Sequence, residues 1–168
     1  MITLVLGGAR SGKSEVAERL VGERAGGRAV TYVATGVPAA DDPDFAARVA
    51  AHRARRHPTW VTIEVGPSDS LPLAVARAAG PLLLDSLTTW VAAAPDFRAD
   101  VDELCAALRT RDGDSVVVSD EVGLGVHPST DTGRRFRDAL GVANQAVSTT
   151  AEDAVLVVAG RTLRLERN

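Results

Sequence analysis

Lysine and cysteine are almost absent from this sequence of 168 residues. Of its 19 basic residues only Lys13 is a lysine, and Cys105 is the single cysteine. One cysteine cannot build an internal disulfide framework, which favours a protein of a reducing compartment. No apolar run approaches the roughly 20 residues that a membrane-spanning helix needs. We therefore expect a cytoplasmic protein without a membrane span.

An excess of positive charge is also missing. The formal net charge is −3 and the pI is near 5.6, so no global basic field is available to hold nucleic acid or an anionic membrane. Any anion must be bound by a local site. With 45% hydrophobic residues, the chain is long enough for one α/β core, and we predict a single domain over residues 1–168.

Short β-branched runs alternate with longer segments rich in Ala, Arg and Glu. This alternation is typical of βαβ units around a mostly parallel sheet that helices cover on both faces. The predicted strands are 2–6, 29–34, 60–65, 81–85, 115–120 and 154–160. The predicted helices are 13–25, 43–56, 69–79, 99–110 and 131–149, with a helix end and a restart at Pro95 left open between residues 91 and 102.

The segment GGARSGKS, residues 7–14, fits the phosphate-loop pattern G-x-x-x-x-G-K-[ST]. An apolar strand precedes it and an amphipathic helix follows, which is the context that the pattern requires. Glycines let backbone N–H groups curl around phosphate oxygens, and the helix N-terminus favours negative charge. Lys13 supplies a compact ammonium for the β- and γ-phosphates, whereas the planar guanidinium of arginine needs more room. The segment predicts a nucleoside triphosphate site in which Ser14 binds Mg²⁺.

A magnesium site also needs an acid at the end of a neighbouring strand. Asp85 ends the run LLLD, while Asp120 and Glu121 end the run VVVSDE. Asp85 has the cleaner apolar run before it and is our preferred ligand together with Ser14. A strand-end acid also serves as an N-cap for the next helix, so sequence alone leaves the choice open.

Between residues 41 and 60 a basic helix carries a histidine. Arg48, His52 and Arg55 or Arg56 are spaced to lie on one helix face. Guanidinium groups should lower the pKa of the His52 imidazole and leave it neutral and nucleophilic, while they bind the phosphates of the group that it attacks. The alternative is a solvated basic face that happens to contain a histidine. His57 and His127, each beside a proline in a predicted loop, are weaker candidates.

Together these segments resemble the bifunctional adenosylcobinamide kinase/adenosylcobinamide-phosphate guanylyltransferase family of cobalamin biosynthesis. The resemblance extends through TYVATG, RVAAHRARRHPTWVTIE, LLLDSLTTWV, VVVSDEVGLGVHP, RRFRDALGVANQ and VLVVAG. It implies a RecA-like phosphate-loop fold and two reactions. Adenosylcobinamide is phosphorylated by ATP or GTP, and GMP is then transferred from GTP through a covalent GMP-histidine to give adenosylcobinamide-GDP. It also implies a homo-oligomer, with a trimer as the expected state.

The resemblance implies His52 as the nucleophile. It implies nucleotide contacts from the phosphate loop, the turn after the second strand, the segment after the histidine and two acids. These residues are Gly7, Gly8, Ala9, Arg10, Ser11, Gly12, Lys13 and Ser14, then Ala34, Thr35 and Gly36, then Arg53, Ala54, Arg55 and Arg56, then Glu64 and Asp85.

Two positions depart from the family pattern. Asp120 stands where the family usually carries Asn, and His127 where it carries an aliphatic residue. The Asp120 carboxylate adds negative charge close to a segment that we associate with substrate handling in the kinase step. Two rival interpretations stay open: a small-molecule kinase without a covalent intermediate, and a nucleotide-dependent binding module whose basic helix recruits a partner.

Overall fold

The computed structural model describes residues 1–36, 50 and 57–167. Within these residues the strands are β1 (Ile2–Gly7), β2 (Thr31–Ala34), β3 (Val61–Glu64), β4 (Leu82–Asp85), β5 (Ser115–Asp120), β6 (Asp153–Val158) and β7 (Arg161–Arg164). The helices are α1 (Lys13–Ala25), α2 (Leu71–Arg77), α3 (Leu87–Ala93), α4 (Val101–Thr110) and α5 (Asp131–Thr150), with a short 3₁₀ helix at Pro95–Phe97.

The strands form one sheet in the order β3-β2-β4-β5-β1-β6-β7. In this spatial order, the first six strands are parallel to their neighbours, and β7 pairs antiparallel with β6. The carboxyl ends of β1 to β5 therefore meet at one edge of the sheet. The register pairs Gly7 with Asp120, and it pairs Ala34 with both Glu64 and Asp85. The predicted mostly parallel α/β fold is confirmed.

Alternation along the strands divides the core into two layers. Ile2, Leu4 and Leu6 of β1 join a cluster with α2, α3, α4 and α5, whereas Val5 joins a second cluster with α1. All six residues of β1 are buried, as expected for a strand covered by helices on both faces. This packing fixes the strand that leads into the phosphate loop.

Helix bounds follow their capping residues. The predicted helix 13–25 is confirmed at both ends, because Gly12 and Gly26, both at positive φ, flank it. The other three described predictions begin or end within two residues of the observed α2, α4 and α5, which start after the capping side chains of Ser70, Asp100 and Thr130. The predicted helix 43–56 lies outside the described residues.

Two elements correct the sequence prediction. The strand predicted at 154–160 ends at Val158, and a turn at Ala159 and Gly160 leads into β7, which was not predicted. Helix α3 is also absent from the predicted helices, although the helix end and the restart at Pro95 that the sequence left open are both observed. Among the described residues, no helix is both long and apolar enough to cross a membrane.

Candidate active site

The phosphate loop is a tight turn between β1 and α1. The Ser11 N–H donates to the Gly8 carbonyl at 3.2 Å, and Arg10 and Gly12 both adopt positive φ angles. From the far side of the loop, the Gly160 N–H donates to the Ser11 carbonyl at 2.8 Å. A Cβ on Gly7 would lie 2.8 Å from the Val157 carbonyl oxygen, so glycine is required there. The loop is thus shaped by its glycines and braced by the turn between β6 and β7.

The N-terminus of α1 differs from those of the other described helices. Its N-cap, Gly12, offers no side-chain hydrogen bond, whereas side chains cap α2, α3, α4 and α5. The N–H groups of its first turn therefore have no capping oxygen, and the helix dipole adds positive potential at the same place. This arrangement suits a phosphate group, as the sequence pattern predicts.

Lys13 begins α1 and its ammonium points to the sheet edge. Its Nζ lies 2.5 Å from Asp120 Oδ1 and donates to the Gly8 carbonyl at 3.2 Å. The side chain of Lys13 is only 14% exposed and that of Asp120 25%, so solvent screens this ion pair less than a surface pair. Asp120 therefore faces the lysine of the phosphate loop directly.

Asp85 lies at the same edge but one strand further from the loop, because β5 separates β4 from β1. Its Oδ2 accepts a hydrogen bond from the Tyr32 hydroxyl at 2.8 Å. Ser14, in the first turn of α1, is partly exposed. Both residues hold the positions that the sequence predicts for them, at a strand end and in the first helical turn after the loop.

The turn after β2 is tied to the end of β4. The buried Thr35 donates through Oγ1 to the Ser86 carbonyl at 2.6 Å and accepts from the Ser86 N–H at 3.0 Å. Its Oγ1 also lies 2.6 Å from Thr89 Oγ1. Ala34 and Gly36 flank Thr35 and are partly exposed. The three predicted turn residues thus lie beside Asp85 at the carboxyl edge of the sheet.

Of the remaining predicted residues, Glu64 ends the outer strand β3 and is exposed. The predicted nucleophile and the segment that follows it lie outside the described residues: His52, Arg53, Ala54, Arg55 and Arg56. His57 and His127 are both exposed and outside regular elements, as predicted; His57 Nδ1 contacts Thr59 Oγ1 and His127 Nδ1 contacts an Arg137 nitrogen, each at 2.8 Å.

Two residues that sequence reasoning did not single out hold Asp120 in place. The Asp120 N–H donates to Thr88 Oγ1 at 2.8 Å, and the Asp120 carbonyl accepts from Asn144 Nδ2 at 3.0 Å. Asn144 is buried on the core face of α5, between Leu140 and Val147. The sequence does contain a signal for this role. Asn144 is spaced among apolar residues on one helix face, and a buried amide there requires a polar partner.

The sequence matches the family described as cobinamide kinase / cobinamide phosphate guanyltransferase over residues 3–165. The chain belongs to this family. It is 38% identical to the bifunctional adenosylcobalamin biosynthesis protein CobP of Pseudomonas aeruginosa, over 99% of this chain and 98% of that protein. It is 34% identical to CobU of Escherichia coli, also named a bifunctional adenosylcobalamin biosynthesis protein, over 95% of this chain and 97% of the relative. The predicted family is therefore confirmed.

Solved structures with little sequence similarity share the fold of this cobinamide kinase / guanyltransferase family member. The flagellar accessory protein FlaH of Methanocaldococcus jannaschii superposes with a TM-score of 0.55 at 15% identity, over 99% of this chain and 78% of that one. The ATP synthase subunit NeqB of Nanoarcheaum equitans gives a TM-score of 0.53 at 9% identity, over 92% and 44% of the two chains. At such identities the likeness supports the phosphate-loop α/β fold alone.

Proposed function

We propose that this chain phosphorylates adenosylcobinamide and then transfers GMP from GTP to adenosylcobinamide phosphate, with His52 as the covalent carrier. The observation that carries the proposal is a phosphate loop with Lys13 at the carboxyl edge of the sheet, in a chain that aligns with bifunctional relatives along nearly its whole length.

In the kinase step, the hydroxyl oxygen of adenosylcobinamide bonds to the γ-phosphorus of ATP or GTP. The bond between that phosphorus and the β,γ-bridging oxygen breaks, the nucleoside diphosphate leaves, and the hydroxyl proton passes to a base. The loop amides and Lys13 stabilise negative charge on the departing diphosphate.

In the guanylyl step, a neutral His52 nitrogen bonds to the α-phosphorus of GTP, and pyrophosphate leaves. A phosphate oxygen of adenosylcobinamide phosphate then bonds to the same phosphorus and displaces the histidine, which forms adenosylcobinamide-GDP. Splitting one transfer into two steps lets a single nucleophile be activated by its surroundings. Arg53, Arg55 and Arg56 would bind the phosphates during both displacements.

Mg²⁺ fits the oxygen donors at this edge. The Ser14 hydroxyl and the Asp85 carboxylate are hard ligands of the kind that Mg²⁺ takes, along with phosphate oxygens and water. We assign the ion to Ser14 and Asp85. When bound, it neutralises charge on the phosphates. The Tyr32 hydroxyl donates a hydrogen bond of 2.8 Å to Asp85 Oδ2 and would thereby orient the carboxylate toward the ion.

We also propose a homo-oligomer, as a trimer. Leu124 and Val126, in the loop after β5, are 80% and 96% exposed, and burial by a neighbouring subunit would remove this apolar surface from water. Light scattering should then give a mass three times the 17.5 kDa of one chain.

A labelling experiment tests the covalent step. The protein is incubated with Mg²⁺ and GTP labelled at the α-phosphorus, and protein-bound label is tested for the acid lability and alkali stability of a phosphoramidate. We expect the wild type to take up label, His52→Asn to take up none, and His127→Asn to label like the wild type. Equal labelling of His52→Asn, or no labelling of the wild type, would contradict the proposal.

A parallel assay with nucleotide labelled at the γ-phosphorus separates the rival functions. Transfer of a γ-label to cobinamide without protein-bound α-label would indicate a kinase that has no covalent intermediate. Nucleotide binding without either transfer would indicate a binding module.

A further inference from the structure

Asp120 is held in a fixed position beside the phosphate loop. Its backbone N–H donates to Thr88 and its carbonyl accepts from Asn144, at 2.8 and 3.0 Å. Its Cα is paired in register with that of Gly7, the first residue of the loop. Hydrogen bonds to both backbone groups and the strand ladder therefore keep the Asp120 backbone at the loop.

The Asp120 carboxylate pairs with the Lys13 ammonium, which is the group that bound phosphates would contact. Asp120 Oδ1 lies 2.5 Å from Lys13 Nζ, and this pair is mostly shielded from solvent. An incoming phosphate oxygen must compete with Asp120 for Lys13, and once it binds it lies close to a negative charge. Like charges at such distances repel strongly where solvent does not screen them.

We propose that Asp120 makes the phosphate loop select the metal-complexed triphosphate and reject the free triphosphate anion. The inference rests on the nucleotide binding in the proposed function. A free triphosphate brings its full negative charge to a site where Asp120 already neutralises Lys13. A triphosphate that carries a divalent cation brings less negative charge, so the Asp120 carboxylate would repel it less. Asp120 thus acts as a specificity-determining residue through its charge and through Lys13.

The test measures binding and requires no turnover. The dissociation constant of the α,β-methylene analogue of GTP, which cannot be cleaved at the α-phosphorus, is measured by calorimetry with EDTA and with Mg²⁺ at equal ionic strength. The informative quantity is the ratio of the two constants, Kd with EDTA over Kd with Mg²⁺. We expect a large ratio for the wild type. In Asp120→Asn, binding with EDTA should tighten about tenfold, so that the ratio falls by at least that factor.

Two further variants define the controls. Asp153→Asn removes the same charge from β6, at the opposite edge of the sheet, where Asp153 pairs with Arg164 at 3.0 Å; it should keep the wild-type ratio. Asp120→Glu keeps the charge and should keep a ratio well above that of Asp120→Asn. Circular dichroism verifies that each variant is folded.

The failures can be told apart. If the wild type binds the analogue with Mg²⁺ but Asp120→Asn has the same ratio, or Asp153→Asn lowers the ratio equally, the role of Asp120 is overturned and the proposed function is untouched. If the wild type does not bind the analogue even with Mg²⁺, both are overturned.

Discussion

At the scale of single residues, the site depends on one ammonium group. Lys13 Nζ is shared between Asp120 Oδ1 and the Gly8 carbonyl. An arginine at this position would keep the charge, but its planar fork would form a bidentate pair with the Asp120 carboxylate and be drawn away from the phosphates. The single lysine of this arginine-rich sequence therefore stands where the shape of the cationic group matters as well as its charge.

We predict that Lys13→Arg lowers the rate of both transfers by about 100-fold, the usual cost of losing one charge-stabilising donor. The measurements are γ-phosphoryl transfer to cobinamide and uptake of α-label by the protein. Turnover near the wild-type rate in either reaction would contradict the role given to the lysine.

Glycine is required at position 7 because a side chain would have no room there, and not because the backbone adopts a positive φ. A Cβ at this position would meet the Val157 carbonyl oxygen at 2.8 Å, whereas a Cβ on the adjacent Gly8 would meet nothing within 4 Å. We predict that Gly7→Ala lowers the free energy of unfolding by about 1–3 kcal/mol through overpacking, and that Gly8→Ala leaves it nearly unchanged. Urea denaturation of both variants measures the difference. If both variants lost the same free energy of unfolding, the contact between a Cβ at position 7 and the Val157 carbonyl could not be the cause.

At the scale of elements, one side chain joins two connections at the amino edge of the sheet. Arg111, just after α4, donates to the carbonyls of Ala78 and Gly80 before β4, to the Gly113 carbonyl and to Ser115 Oγ at the start of β5. Burial lowers the pKa of its guanidinium, yet an arginine stays charged at neutral pH. The guanidinium thus ties the loop before β4 to the loop before β5.

We predict that Arg111→Met lowers the free energy of unfolding by about 2–3 kcal/mol, because several carbonyl groups lose a charged donor. Arg109→Met is the matched control, since Arg109 is exposed and reaches Thr150 Oγ1 at 3.2 Å. Chemical denaturation of the two variants gives the comparison. A loss in Arg109→Met as large as that in Arg111→Met would rule out the specific role.

Elements with strong local signals were predictable. Helix α1 was predicted to the residue because the loop pattern defines its start and Gly26, at φ 56°, defines its end. Strand β7 was missed because its four residues are all exposed and three of them are polar, so neither an apolar run nor an alternating pattern marks a strand there. Helix α3 was missed because seven residues with two adjacent threonines carry a weak helical signal, although Ser86 caps it.

At the scale of the whole molecule, strand order decides which acid faces the loop. Periodicity predicted both strands that end in Asp85 and Asp120, but it contains no information on lateral order. The sheet places β5 between β4 and β1, so Asp120 and not Asp85 contacts Lys13. The assignment of magnesium to Asp85, and of the nucleophile to His52, remains a prediction.

The pH dependence of stability follows from a contact between the first strand and the start of β6. The Ile2 N–H donates to Glu152 Oε2, and this hydrogen bond lowers the pKa of the Glu152 carboxyl below its ordinary value. A group with a lowered pKa in the folded state stabilises the fold above its unfolded pKa and loses that contribution as the pH falls through its folded pKa.

We predict that Glu152→Gln is less stable than the wild type at pH 7 and that the difference disappears on acidification below the folded pKa. Thermal unfolding between pH 7 and pH 3 measures it. Glu23→Gln, on the exposed face of α1 where Glu23 pairs with Arg19 at 3.3 Å, is the control. A difference from the wild type that stays constant with pH would contradict the assignment.

The turn at Gly160 also has a consequence for how the protein is made. The phosphate loop leaves the ribosome before its neighbours do, and β1 must wait for Ser115–Asp120 and Asp153–Val158 to form the strands on either side of it. The Gly160 N–H that braces the loop arrives later still. Pairings so distant in sequence form slowly. A nascent chain therefore exposes the nucleotide-binding motif before the strands and the turn that give the motif its shape have been synthesised, and the last of these contacts can form only after Gly160 has emerged from the ribosome.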